Sequence, residues 1–280
     1  MVRGPRSVGK RTLIKSGKFI AFVVICLFFV TPYLWMVLIS FKDRVDIFDP
    51  GKLIFTPILT NYQNIIYTDR IFNLFINSAV IVTVSTLVSL IIGSFAAYGF
   101  ARFNWKKREN LAFFILSQRM LPAIAIVIPY FLMALFLRML DTRLVLIICY
   151  LLFNIPFTIL MMRGFFEDIP IDIEEAGKMD GCNGLQVLGR IILPLSLPGL
   201  TATAIFCIIA SWNEFIFALF LTSFNARTVP TSVTAFLTVS GTKWGEMAAT
   251  GVLASLPVII FGIIVQKYMI RGLTFGAVKG

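Results

Sequence analysis

Six carboxylates, Glu167, Asp168, Asp172, Glu174, Glu175 and Asp180, fall within one polar stretch, residues 164–199, where Lys178 and Arg190 are the only bases. The chain has no histidine, which removes the commonest general base and metal ligand. Its four cysteines, Cys26, Cys149, Cys182 and Cys207, are scattered, three of them in apolar runs, so neither a disulfide framework nor a zinc site is expected. With no nucleophile set beside a base, the residues offer no catalytic site. The remaining chemistry of the acidic stretch is recognition, by ion pairing with a basic or dipolar socket. A second constellation, Ser211, Trp212, Asn213 and Glu214, interrupts an apolar run, and Arg119 interrupts another. A charge at membrane depth is costly unless paired or wetted, so both mark candidate sites on a translocation path. Counted from the cytoplasmic ends of their runs, Arg119 lies about 12 Å deep and Glu214 about 20 Å deep, a difference an arginine side chain can bridge. A buried lock between helices, a contact with a partner subunit and a contact with a solute, with Trp212 stacking on it, all remain open for this group.

The elements that hold these residues are membrane spans. Of 280 residues, 58% are hydrophobic and 14% charged, with a mean hydropathy of +0.90, outside the soluble globular range. The formal charge of +11 does not imply nucleic acid, because the bases sit at the ends of apolar runs. Residues 1–18 carry six bases and no acid, placing a cytoplasmic N-terminus before a first span at 19–40. A charge-balanced outer loop, 41–71, follows. Further spans are expected at about 72–100, 111–137, 144–162, 200–222 and 251–270, the last five crossings forming a core over 72–270. The second span is rich in small and hydroxyl residues, which favour close helix contacts in lipid. The third carries Pro122 and Pro129 and must kink. Six spans put both termini, including the tail 271–280, and the acidic stretch on the cytoplasmic side.

Within 164–199, Pro170, Gly181, Gly184, Pro194 and Pro198 divide the chain into short helices separated by a turn. Pro170 and Asp172 suit a helix start, and Gly181 suits its end. The apolar positions of this finger, among them Ile171, Ile173, Met179 and Leu185, have no core of their own and ask for a partner to dock against. An ordinary interfacial loop is the plainer alternative.

Glu175-Ala176-Gly177, then Gly181, then Ile191, Leu193 and Pro194 resemble the EAA loop of importer-type ABC transporter permeases. Gly177 departs from the pattern, standing where that family usually has a second alanine. The similarity extends to NSAVIVTVSTLVSLIIGSFAAYGFARF, KMDGCNGLQVLGRIILPLSLPGL, SWNEFIFAL and GLTFGAVKG, which are similar to the smaller permease of maltose-type carbohydrate importers.

The resemblance implies an all-α polytopic membrane protein of six transmembrane helices with the type I importer fold, in a bacterial or archaeal cytoplasmic membrane. It implies a second, related permease, two ATPase subunits that bind ATP and magnesium, and an extracytoplasmic sugar-binding protein, with no cofactor in this chain. The ATPase-coupling residues it implies are Glu174, Glu175, Ala176, Gly177, Asp180, Gly181, Ile191, Leu193 and Pro194, with Glu175 the choice for an ion pair or cap contact. Gly272, Gly276 and Lys279 would form a tail reaching toward the ATPases. A permease for a polyamine or phosphonate would share the loop. A stand-alone channel or secondary transporter leaves the finger unexplained, and a membrane enzyme lacks its catalytic groups.

Overall fold

The computed structural model describes residues 6–67, 71–238 and 241–276, with side chains placed between 16 and 266. Among the described residues, four helices are long and apolar enough to cross a membrane: α1 (Arg6–Ser40) through its segment Ser16–Ser40, α4 (Ile71–Arg102), α7 (Arg143–Glu167) and α13 (Trp244–Gly276) through Trp244–Gln266. Two more crossings arise if each of two bent pairs counts as one span. In the first pair, α5 (Arg108–Ser117), extended by a 3-10 turn to Met120, meets α6 (Ala123–Phe136) at 91°. The expected kink is therefore a full break. Leu121 and Pro122 are both extended, with ψ of 125° and 129°, and proline can neither donate to the ladder nor let its predecessor stay helical. Pro129, by contrast, is absorbed within α6.

The chain forms two compact units. One comprises residues 1–69 and 236–253. In it, residues 41–67 carry the short helices α2 (Arg44–Ile47) and α3 (Thr60–Tyr67), and the segment 236–253 carries a two-residue-strand hairpin, β1 (Leu237–Thr238) with β2 (Gly241–Thr242). Asn61 is the tie: its side-chain amide donates to the carbonyls of Ser40 and Lys42 at 2.9 and 3.0 Å. The Lys42 ammonium lies over the Trp35 and Phe55 rings at 5.5 and 5.3 Å, which lets a buried cation keep an electrostatic partner.

The second unit comprises residues 70–235 and 254–280 and contains the helices that carry the site. Its spine is α4 packed along α7. Of the small and hydroxyl residues that the sequence offers for helix contact, Ser78, Ser85, Thr86, Ser89, Gly93, Ser94 and Ala97 are buried, Ala96 and Gly99 are half-buried and Thr83 is exposed. At Gly93 the helices approach so closely that an added Cβ would stand 2.5 Å from Thr158 Cγ2. The expected fifth span consists of α11 (Leu197–Trp212) and α12 (Ile216–Leu221), interrupted at 213–215.

At the C-terminus the last helix begins at Trp244, before the expected Gly251, and continues to Gly276. Gly272 and Gly276 are thus helical rather than a separate tail. Each added turn costs little once a long helix has nucleated, so scattered glycines do not end it. Lys279 lies outside the described residues.

Candidate functional site: the acidic finger and the break at 213–215

The finger consists of α8 (Ile171–Met179), a turn, and α9 (Gly184–Val187), which runs into a π-helical turn at Leu188–Ile192 and α10 (Leu193–Leu195). The turn is made by Gly181 at φ +87°, a conformation that strains any residue with a Cβ. Asn183 then caps α9 reciprocally with Gln186: its side chain accepts from the Gln186 N–H at 3.0 Å, and its own N–H donates to Gln186 Oε1 at 2.8 Å. The Asn-x-x-Gln spacing was a readable signal that the sequence analysis passed over. Pro194 supplies no N–H to the carbonyl four residues back, which accounts for the widened turn before it.

The finger has two faces. Inward, Glu174 and Gly177, three residues apart, are buried. Gly177 faces Ile191, and a Cβ there would come within 2.4 Å of the Ile191 Cδ1 atom. The glycine in place of the family's alanine is therefore matched to the isoleucine opposite. Ile192 is buried and Leu193 packs against the same apolar cluster, formed by Ala97, Met162, Phe166, Val187 and Leu188, while Pro194 is exposed. Outward, Asp172, Glu175, Ala176, Lys178, Asp180 and Gly181 are exposed. Ile171, Met179 and Leu185 stand among them, Met179 with 88% of its surface accessible. A surface of exposed apolar and acidic side chains on a folded helix suits a partner with an apolar cleft rimmed by bases.

The structure separates the two glutamates that the motif presented together. Glu174 is not on the outward face: its carboxylate accepts from Arg102 Nε and, at 2.9 Å, from the Tyr98 hydroxyl, both on α4. Glu175 alone projects outward. At the C-terminal end of α7, Arg163 donates to Glu109 at 2.7 and 3.1 Å and to Glu167 at 2.7 Å, joining the start of α5 to the helix that delivers the finger.

Of the readings left open for Arg119 and Glu214, the direct bridge is not formed in the structure, where each side chain has other partners. Glu214 accepts the N–H groups of Phe217 and Ala218 at 2.8 and 3.2 Å, so it caps α12 across the break. Arg119 instead lies over the Phe157 ring, 4.4 Å from its centroid. Both still line one pocket of about 300 Å³, together with Gln118, Phe153 and Phe217. Trp212 does not line it: its Nε1 donates to the Ala254 carbonyl at 3.0 Å and its ring packs on Phe75. Asn213 is exposed and donates to the Ile209 carbonyl at 2.9 Å. No group of three His, Cys, Asp or Glu side chains among the described residues is placed to hold a metal ion.

A cluster around Asp141, just before α7, was not legible in the sequence. The Asp141 carboxylate accepts the backbone N–H groups of Ser223, Phe224, Asn225 and Ala226 at 2.9–3.2 Å, and the Asn225 side chain at 3.0 Å. Asn77 of α4 donates to the carbonyls of Asn225 and Arg227 at 2.8 and 2.9 Å. Partial burial pushes the Asp141 carboxyl up, but the four N–H donors outweigh it and hold its pKa below the ordinary value. A carboxylate whose folded-state pKa is lowered stabilises the fold above its unfolded value, about 3.9, and loses that contribution as pH falls through the lower folded value. The 222–227 loop is therefore expected to resist opening evenly from neutral pH down to about pH 4 and to loosen only below. Asp141→Ala removes the contribution at every pH, at about 1–2 kcal/mol because the freed N–H groups can take water. Hydrogen exchange of 222–227 against pH checks both. Loosening between pH 7 and 5 in the unaltered chain would contradict the assignment.

Three comparisons with known proteins bear on these features. Residues 89–275 match the family described as binding-protein-dependent transport system inner membrane component. The chain is 40% identical over 257 residues to the probable ABC transporter permease protein y4oR of Sinorhizobium fredii, covering 91% of this chain and 92% of that one. It is 34% identical over 275 residues to the trehalose/maltose transport system permease protein MalG of Thermococcus litoralis, covering 97% and 98%. In three dimensions it aligns with a TM-score of 0.75 and 22% identity to a chain of a bacterial ABC transporter involved in the import of the acidic polysaccharide alginate, over 96% of this chain and 99% of that one.

Proposed function

Since the chain belongs to the family of binding-protein-dependent transport system inner membrane components, we propose that it forms half of the path by which an ATP-driven importer brings a sugar or sugar derivative into the cell. The name of the trehalose/maltose relative supports the sugar, over nearly the whole length of both chains. The proposed assembly holds a second, related permease, two ATPase subunits that carry ATP and magnesium, and an extracytoplasmic binding protein. Both termini and the finger face the cytoplasm.

The observation that carries the reading is the two-faced finger. Its inward face is fixed to the transmembrane helices, and its outward face presents Glu175, Ile171 and Met179 with no partner in the chain's own core. A finger seated in an ATPase cleft moves when that cleft closes on ATP, and α7 and α11, covalently continuous with it, convert the movement into a change of access. The chain itself hydrolyses nothing in this scheme.

Glu175→Lys reverses the outward charge, and Gly181→Val forces a β-branched residue to φ +87°. Each is expected to lower uptake and ATPase recruitment by about tenfold or more, the equivalent of about 1.4 kcal/mol of lost docking free energy. Membrane insertion should be unchanged, since both residues lie outside the spans. Normal uptake by both variants would rule out docking through the finger.

A further inference from the structure

We propose that Arg102 and Tyr98 are positioning residues that make α4 a direct carrier of finger movement, alongside the two helices to which the finger is covalently joined. This rests on the coupling reading above. Tyr98 and Arg102 are four residues apart, on one face of the cytoplasmic end of α4. They grip α8 at two points: Glu174, buried in its middle, and the Ile169 carbonyl just before its first turn, which accepts from Arg102 Nη2 at 2.8 Å. One guanidinium thus bridges the entry of α8 and its core-facing carboxylate. The Tyr98 ring sits edge-on to Phe166 of α7 and to Phe103, so the grip is itself packed against the helix that leads into the finger.

A charged pair buried at this level loses hydration that an apolar pair would not, and its return is direction. A planar guanidinium with separate donors to a carboxylate and a carbonyl fixes the angle of α8 to α4, where apolar packing would allow sliding. Without it, α8 would be held by the linker at 168–170, the turn at 180–183 and the contact of Gly177 with Ile191. With it, rocking of α8 pulls directly on the end of α4 that carries Tyr98 and Arg102, about two turns beyond the close approach of α4 to α7 at Gly93. The outward Glu175 is left free for the partner, so the adjacent acids divide holding from docking.

The test uses the complete transporter, with its co-purifying ATPases, in lipid nanodiscs, and follows backbone hydrogen exchange with and without ATP and vanadate. In the unaltered protein, trapping should change exchange at 171–179 and at 95–102 together. In Arg102→Gln, residues 171–179 should still respond, while the response at 95–102 falls by about threefold or more. Arg102→Lys should restore part of it, and Tyr98→Phe, which removes one hydroxyl and is expected to fold, should show a smaller loss in the same sense. An undiminished response at 95–102 in Arg102→Gln or Tyr98→Phe, or none in the unaltered protein, overturns the proposal. Absence of any co-purifying ATPase is a different failure, that of the coupling reading itself.

Discussion

Glu174→Ala is expected to be among the most destabilising single substitutions in the finger, at about 3–5 kcal/mol. The loss is not the worth of the ion pair, which pays much of its Coulomb energy back as desolvation. It is the penalty of leaving the Arg102 guanidinium, whose side chain is only 10% exposed, without its counter-charge, and the Tyr98 hydroxyl without its acceptor. Removing both charges should therefore cost less than removing one, and Arg102→Met with Glu174→Leu should recover more than half of the single loss. Unfolding in a denaturing detergent titration reads both. A Glu174→Ala penalty below about 1 kcal/mol would mean that the pair is effectively solvated and adds little to the fold.

Gly93→Leu should prevent accumulation of folded protein, and Gly93→Ala alone should cost about 1–3 kcal/mol. The Cβ built at Gly93 stands 2.5 Å from Thr158 Cγ2 and 2.6 Å from Thr158 Cβ. The second distance decides the matter, because a Cβ is fixed to its backbone and cannot swing away, so α4 and α7 must separate. Thr158→Ala, which removes only the γ atoms, should rescue Gly93→Ala in part, and Thr158→Gly should rescue it further. Yield and thermal unfolding in detergent measure the series. A Gly93→Ala protein as stable as the original would show that the two helices can move apart freely.

What the sequence made legible was whatever depends on neighbours along the chain. Pro122 and Pro129 marked a kink in the third crossing without showing which of them breaks it, the small residues of α4 marked it for helix contact, and Gly181 marked the turn of the finger, because proline geometry, residue size and positive φ are local properties. The orientation of Glu174 was not local. Its partner Arg102 is 72 residues away, and two adjacent glutamates look alike until the helix is rotated against α4. The same limit hid the Asp141 cluster, in which backbone N–H groups, not side chains, make the acceptor site. It also left open a bridge between Arg119 and Glu214, which depth counting allowed but which helix capping by Glu214 and the Phe157 ring beside Arg119 replace. The last helix outran its expected end because glycine content was weighed without the cooperativity of a long preceding helix.

The most direct test of the central claim is to isolate the tagged chain from its native membrane in mild detergent and measure subunit composition and ATP hydrolysis together. The account predicts a complex containing a second permease and two copies of an ATPase subunit, with hydrolysis that rises when the cognate binding protein carries its sugar. It also predicts that Glu175→Lys strips the ATPase from the complex while the two permeases stay together. A chain that purifies alone, or with a partner that hydrolyses no ATP, and still moves its solute would contradict it.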